Sequence, residues 1–422
     1  MIQRPRGTRD LLPPETRLWQ AVEQTAREVF GAFGAEEIRT PVIEATELFV
    51  RSVGEATDIV HKEMYTFPDR KDRSLTLRPE GTAGVARAWI ENGLGDRSHP
   101  LRLYYIGPMF RYERMQRGRY RQFAQIGLEV LGADTPLSDA ELILAMHEFF
   151  RRLEFVDLVI HLNNLGDPDD RPRYQEALRA AFEPRRSELC SDCQRRLDEN
   201  PLRILDCKVA SCQVVAADAP AMDDVAADAS RHHVAEVERH LARLHVPTVR
   251  NHRLVRGLDY YVRTVFEVVS PQLGTNTVLC GGGRYDRLIA DLGGPVLPGT
   301  GFAIGEDRLV DVLPERFRQA VLSKPRLYLV PLGAAAQERA LELARDWVRG
   351  GVPVEVEVSG RSLKAALKRA DREGFRAVAI LGDDELQRGE VTVRDLVAGS
   401  QAALAPETLP EWWRKLLAAG HD

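Results

Sequence analysis

Between Phe110 and Gly132 the chain reads FRYERMQRGRYRQFAQIGLEVLG, with five arginines and two glutamates set among runs of buried-strand character. Side chains alternate faces along a strand. In RQFAQIGLEV this puts Ala124, Ile126, Leu128 and Val130 on one face and Arg121, Gln125, Gly127 and Glu129 on the other. The preceding strand divides the same way, Phe110 and Tyr112 against Arg111 and Glu113, and the connecting RMQRGRY adds three more arginines beside a glycine. Charges are costly to bury in a central sheet without partners or a ligand. One face is therefore core. The other is either a site for an anionic, phosphorylated ligand, with acids kept for a second, cationic or hydrogen-bonding one, or a solvated face laced with surface ion pairs. Gly127, between Gln125 and Glu129, is expected to leave a gap where a ligand approaches the backbone.

At 422 residues the chain is too long for one ordinary core, so two or three domains are expected. The first, over residues 1–320, reads as α+β: an antiparallel sheet flanked by helices. Trp19, Val22, Ala26, Val29, Phe30 and Phe33 recur at helical spacing. SLTLRPEGTAGVARAWIENG gives a strand, a turn at Pro79 and Gly81, and a helix from near Thr82, and two hairpin strands span Leu101 to Leu131. From about 168 to 252, helices rich in alanine, arginine and acid hold four of the five cysteines and suggest an insertion; strands return at LVRGLDYYVRTVFEVV. Over 325–422 strand and helix alternate, the pattern of a small α/β domain with helices on both sheet faces. No run of about 20 apolar residues could span a bilayer. The start, MIQRPRGTRDLLPPE, lacks the apolar stretch of a secretory signal, so a cytoplasmic location is expected. A net charge of −5 argues against a chain basic all over while leaving room for a local basic patch.

The charged strand pair has company elsewhere. Arg111-Tyr112-Glu113, a loop and a second strand ending GLEVLG resemble motif 2 of the class II aminoacyl-tRNA synthetases. LVRGLDYYVRTVFE (Leu254 to Glu267) and CGGGRYDRL resemble the two signature peptides of the histidyl-tRNA synthetases, GTGFAIGEDRL is similar to class II motif 3, and IRTPVIEATELF resembles motif 1. With TLRPEGTA at 76–83 and RGTRDLLP at 6–13, the resemblance runs in family order to about residue 315, and the last domain resembles the class II anticodon-binding domain. It implies ATP-dependent attachment of histidine to tRNA(His) through a histidyl-adenylate, with AMP and pyrophosphate released. ATP with Mg²⁺, histidine and tRNA(His) are the implied partners, in a homodimer joined through motif 1.

The resemblance also distributes roles. Arg111 grips the α-phosphate and the attacking carboxylate, and Arg256 reaches that phosphate from the other side, where other class II enzymes use a metal. Arg119 and Arg308 serve the remaining phosphates and the adenine, Arg308 by stacking, and Glu113 reads the adenine amino group. Glu80, Thr82 and Gln125 take the α-amino group; Glu129 and Tyr261 take the imidazole; Tyr285 helps to close the pocket, to which Tyr260 and Arg256 also belong. The chemistry agrees, since the transition state gathers negative charge and an imidazole can be read by one acceptor and one hydroxyl. Strand alternation would put Tyr260 and Tyr261 on opposite faces, one of them in the core. CGGGRYD by itself reads equally as a tight turn before a helix. The chain departs from the family at Val262, where asparagine is usual, and at Asp307, where glutamate is common.

Two other readings share the fold. One is the catalytically silent paralogue that regulates ATP phosphoribosyltransferase, which usually lacks the anticodon-binding domain and loses catalytic arginines; the other is a class II synthetase for another amino acid. The retained Arg111 and Arg256, the last domain and the two signature peptides favour the histidine enzyme. In the insertion, Cys190, Cys193, Cys207 and Cys212 are paired thiols of a kind that can close a tetrahedral zinc site. The second gap, four residues, is looser than the usual two, so reduced cysteines without metal are expected; disulfides are disfavoured in the inferred compartment. In SLKAALKRADREG, Lys364, Lys368 and Arg372 recur every four residues opposite Leu363, Leu367 and Ala370. That row either contacts tRNA phosphates or is simply solvated.

Overall fold

The computed structural model describes residues 2–54, 57, 59–96, 100–114, 118–270, 278–323 and 325–418, which divide into units at 1–318 and 319–422. In the first unit the strands are β1 Glu36–Glu37, β2 Ile43–Ala45, β3 Tyr65–Pro68, β4 Ser74–Leu77, β5 Leu101–Phe110, β6 Gln122–Leu131, β7 Val159–Asn164, β8 Thr248–Arg250, β9 Val262–Val269, β10 Val278–Arg284 and β11 Gly299–Gly305. Among the described residues, eight of them form one sheet in the order β1-β5-β6-β11-β10-β9-β7-β8. Its inner pairings are antiparallel, and only the outermost, β1 with β5 and β7 with β8, are parallel. Antiparallel sheets commonly bury one face and leave the other accessible. Helices Glu15–Ala32 and Pro136–Arg152 cover one face, where Phe30 packs 5.6 Å from Phe149 and 5.8 Å from Phe302, ring centre to ring centre.

The hairpin differs from the sequence pattern. β5 stops at Phe110 and β6 starts at Gln122; one more backbone bond, from the Arg111 N–H to the Arg121 carbonyl at 3.0 Å, follows, and Glu113 lies in the connection beyond it. Arg121 does not join Gln125 and Glu129 on their face; its guanidinium lies 3.6 Å from the centre of the Tyr112 ring and its backbone N–H donates to Gly7. Arg117, one of the loop arginines, falls outside the described residues.

The expected helical insertion also ends earlier than residue 252. Helices Arg171–Phe182, Ser191–Glu199 and Ala210–Ala216 pack with one another. Helix Asp228–Arg243, however, lies on Pro136–Arg152, with His233 Nε2 2.8 Å from Asp139 Oδ2, and Thr248–Arg250 is the edge strand β8 of the main sheet. Composition cannot separate these cases, because Val234, Val237 and Leu241 form the same kind of apolar stripe whichever core they complete. Arg284, fully buried at the end of β10, ties that strand to Asp139 (2.7 Å) and to Asp286 (2.9 Å). A guanidinium can be buried here because carboxylates meet it on two sides.

The second unit holds β12 Leu327–Pro331, β13 Val354–Val356, β14 Ala377–Leu381, β15 Val391–Asp395 and β16 Gln401–Leu404 in the order β13-β12-β14-β15-β16, parallel over the first three and antiparallel over the rest. Helices Ala334–Arg349 and Leu409–Ala418 bury Trp347 and Trp413 against Leu327 and Leu329, while helix Leu363–Arg372 sets Ala366 and Ala370 against Tyr328 and Val330. Both faces are thus covered, as expected of an α/β layer. No helix among the described residues is long and apolar enough to cross a membrane.

Candidate active site

The site lies on the sheet face that carries Glu129. Register sets Glu129 opposite Gly301, and Gly301 opposite Gly283; one row along, Gly281 lies opposite both Ala303 and Glu267. A Cβ on Gly301 would collide with the Glu129 carboxylate, and one on Gly281 with the Arg256 guanidinium. The glycine run of CGGGRYD is therefore neither a turn nor a phosphate loop but a strand whose absent side chains make room for charged groups from its neighbours. Gly127 behaves differently from expectation. The space above it is filled by the ring of its cross-strand partner Tyr105, which also abuts Gly81, so no ligand can approach the backbone there.

Glu129 is fully buried. One oxygen accepts from Thr82 Oγ1 at 2.7 Å and the other from the Tyr285 hydroxyl. Burial pushes its pKa up to about 8, with nearby Glu80 adding to the effect, although both hydroxyl bonds pull the other way. Glu80, also buried, accepts from the backbone N–H groups of Thr82 (2.7 Å) and Ala83 (2.8 Å) and so caps helix Thr82–Glu91; burial raises its pKa against those bonds. A carboxylate offers about four lone-pair positions, so this cap leaves acceptor capacity free. Gln125 Oε1 is buried and has no hydrogen-bond partner among the described residues. Tyr260 and Tyr261 do not straddle a strand. They precede β9, both buried, with rings 4.6 Å apart and Tyr260 5.6 Å from Tyr285, so both join the pocket and neither is given up to the opposite core.

Arg256 pairs with Glu267, and its Nε is buried without a partner among the described residues. Its peptide is held from outside: Arg203 donates to the carbonyls of Arg256 (3.2 Å) and Gly257 (3.3 Å) and to Asp259 (2.6 Å), while Arg171 donates to the carbonyls of Asp259 (3.0 Å) and Tyr261 (2.6 Å). Arg111 donates to the Pro79 carbonyl at 2.8 Å and lies 3.8 Å from Glu113, which is 3.3 Å from the half-exposed Arg119. Arg308 donates to the Val278 carbonyl at 2.6 Å; burial and then Arg119 lower its pKa, with Glu113 and Glu267 offsetting part of the effect. Asp307 accepts from Arg9 and from the Ala124 N–H, and Val262 is buried at the start of β9, so both departures from the family pattern are structural positions.

Sequence reading missed Tyr105, Arg171, Arg203 and Glu267. Only Tyr105 had a usable signal, since hairpin register places it opposite Gly127. Lys364, Lys368 and Arg372 are exposed on their helix in the second unit. The sulfurs of Cys190, Cys193, Cys207 and Cys212 all lie within 4.8 Å of one another, despite the loose second gap.

An antiparallel sheet that carries an acid-and-hydroxyl pocket next to a cluster of arginines is the arrangement that the resemblance to the class II aminoacyl-tRNA synthetases implies. Comparisons narrow this further. The profile of histidyl-tRNA synthetase matches residues 7–309 and that of the anticodon binding domain matches 326–416. The chain is 47% identical over 411 residues to a histidine–tRNA ligase of Desulfitobacterium hafniense (strain DSM 10664 / DCB-2), covering 97% of each. The crystal structure of apo S. aureus histidyl-tRNA synthetase superposes with a TM-score of 0.80 at 36% identity, covering 98% of this chain and 99% of that one. A Bacillus halodurans structure described as an ATP phosphoribosyltransferase regulatory subunit/histidyl-tRNA synthetase shares the fold, with a TM-score of 0.67 at 22% identity over 90% of this chain and 98% of that one. The chain belongs to the histidyl-tRNA synthetase family.

The raised Glu129 pKa carries a stability consequence. An acid that holds its proton more tightly when folded stabilises the fold below its unfolded pKa, near the ordinary 4.5, and loses that contribution as pH rises to about 8. In denaturant titrations the stability of the wild type relative to Glu129→Gln is expected to fall steadily between these limits and to level off above them. A difference independent of pH would show that Glu129 titrates normally.

Proposed function

We propose that the chain activates histidine with ATP to give histidyl-adenylate and pyrophosphate, then transfers the histidyl group to tRNA(His) and releases AMP. The observation that carries this is the placement, on one sheet face, of the buried Glu129 pocket beside Arg111 and Arg256. Glu129 and Tyr261 read the imidazole. Gln125 Oε1, Glu80 and Thr82 receive the α-ammonium, which answers the unpartnered amide oxygen. Losing such bonds leaves buried polar groups unpaired, which rejects analogues by roughly 10⁴-fold or more.

The histidine carboxylate attacks the α-phosphorus of ATP, a new carboxyl–phosphorus bond forms, and the bond to the pyrophosphate oxygen breaks. Arg111 and Arg256 stabilise the charge gathering on the α-phosphate from two sides. Arg119 and Arg308 hold the outer phosphates and the adenine, and Glu113 receives the adenine amino group. Mg²⁺ supplies charge neutralisation for the phosphates. The tRNA 3′ end then attacks the activated carbonyl and AMP leaves.

The regulatory reading is not favoured, because Arg111, Arg256 and the second unit are all kept. A homodimer is the expected active form. The small sheet of β2, β4 and β3 sets Ile43, Leu77 and Tyr65 in one row and Ala45, Leu75 and Phe67 in the next, an apolar face on which Ile43 and Phe67 remain exposed. Light scattering is expected to weigh two chains. We place the reaction in the cytoplasm.

Exchange of labelled pyrophosphate into ATP tests the reading directly: histidine, and no other amino acid, is expected to support it without tRNA. Arg256→Ala should slow it by on the order of 10² to 10³. Exchange driven by another amino acid would overturn the substrate, and a near wild-type rate would remove Arg256 from the chemistry. In the second unit the exposed row of Lys364, Lys368 and Arg372 is offered to tRNA phosphates. Replacing all three with alanine should lower the salt dependence of tRNA binding, by up to about three in slope, and leave adenylation intact; an unchanged slope would dismiss the row.

A further inference from the structure

The four clustered cysteines lie outside the chemistry described above. Cys190 immediately precedes helix Ser191–Glu199, Cys193 sits in its first turn, Cys207 follows the single turn Pro201–Ile204, and Cys212 lies in helix Ala210–Ala216. Each of these segments is far too short to be stable alone. Yet they bring four sulfurs within 4.8 Å of one another, three of the cysteines buried and Cys190 partly so. Tetrahedral thiolate ligation at about 2.3 Å from zinc sets the sulfurs roughly 3.8 Å apart. Cys190 Sγ and Cys207 Sγ are 4.0 Å apart, close to that edge and nearly twice a disulfide length of about 2.05 Å. The Cys190 N–H also donates to Cys212 Sγ at 3.2 Å, the kind of bond that stabilises a sulfur carrying negative charge. Thiols are weak donors and acceptors, so four facing one another in a dry space satisfy each other poorly.

We propose that Cys190, Cys193, Cys207 and Cys212 bind one zinc ion, and that this ion fixes the loop from which Arg203 holds the Arg256 peptide. Four sulfur ligands in a tetrahedron select zinc over the hard cations. Arg203 lies between the second and third ligands and reaches the carbonyls of Arg256 and Gly257 and the carboxylate of Asp259, 53 to 56 residues away. Binding zinc replaces thiol protons, which pass to solvent, by four sulfur–zinc bonds; no redox step is involved. Arg203 is thus a positioning residue. It touches no substrate, and it sets where the Arg256 backbone stands relative to the α-phosphate.

Metal analysis of the full chain, purified under reducing conditions from cells supplied with zinc, tests the ion without reference to activity. About one zinc per chain is expected, with cobalt replacing it to give thiolate-to-metal absorption, and both signals should disappear in Cys193→Ser and Cys207→Ser. Should those variants fail to fold, the wild-type protein still decides the matter: titrating its thiols with a mercurial should release the zinc in step. Arg203→Ala should keep its zinc while kcat for pyrophosphate exchange falls by about 10-fold to 100-fold. Zinc no higher than the buffer background, stoichiometric iron in its place, or equal zinc in the serine variants would overturn the site. Full exchange rate in Arg203→Ala would overturn the link to Arg256. Because zinc content is read independently of exchange, failure here and failure of the histidine reading remain distinguishable.

Discussion

A carboxyl group with no access to water governs this sheet. Glu129 has zero exposure, and every feature around it answers that fact. Thr82 and Tyr285 supply hydroxyl donors, Gly301 leaves the space that the carboxylate fills, and Tyr105 seals the neighbouring position over Gly127. A lone buried carboxylate costs far more than it contributes to folding. Its placement makes sense as preparation for a ligand that brings its own proton and hydrogen bonds, which an imidazole does. Glu80, also buried, spends part of its acceptor capacity on a helix cap and keeps the rest free.

The anionic half of the site is built on a different principle. Its arginines are anchored by main-chain carbonyls, Arg111 by Pro79 and Arg308 by Val278, and only partly matched by Glu113 and Glu267. Cations held in place by neutral acceptors keep their field available for a phosphate, and nothing has to be reorganised when the charge develops. Arg256 adds support at one remove. Arg203 and Arg171, both reaching in from the insertion, hold the backbone from Arg256 to Tyr261, so the peptide that joins the phosphate side to the histidine side is clamped by a segment distant in sequence.

Much of this was legible before any coordinates. Alternation along β6 separated Gln125 and Glu129 from Ile126 and Leu128, and the turn at Pro79 and Gly81 placed Glu80 and Thr82 at a helix start. These features are local, so local pattern suffices. Arg203 carries no such signal: its partners are 53 to 56 residues on, and two of the three are backbone carbonyls, which no side-chain pattern announces. The convergence of the cysteines depended on how two short helices turn back, and spacing alone understated it. The hairpin misled at its open end. Alternation was carried through Arg111 and Arg121, but β5 and β6 end one residue short of them, and the Arg121 side chain turns to the Tyr112 ring. Tyr260 and Tyr261 misled because alternation was assumed where the chain had not yet entered β9.

The central claim is that the buried Glu129 carboxyl reads the histidine side chain. Titration calorimetry of histidine against the wild type and Glu129→Gln, an amide of nearly the same shape, measures this most directly. Measured above pH 8, where the acid is ionised, loss of a hydrogen bond to a charged group should weaken histidine binding by roughly 10-fold to 150-fold, with ATP binding unchanged. Equal histidine affinity in the two proteins would mean that the acid at the centre of the sheet does not touch the substrate.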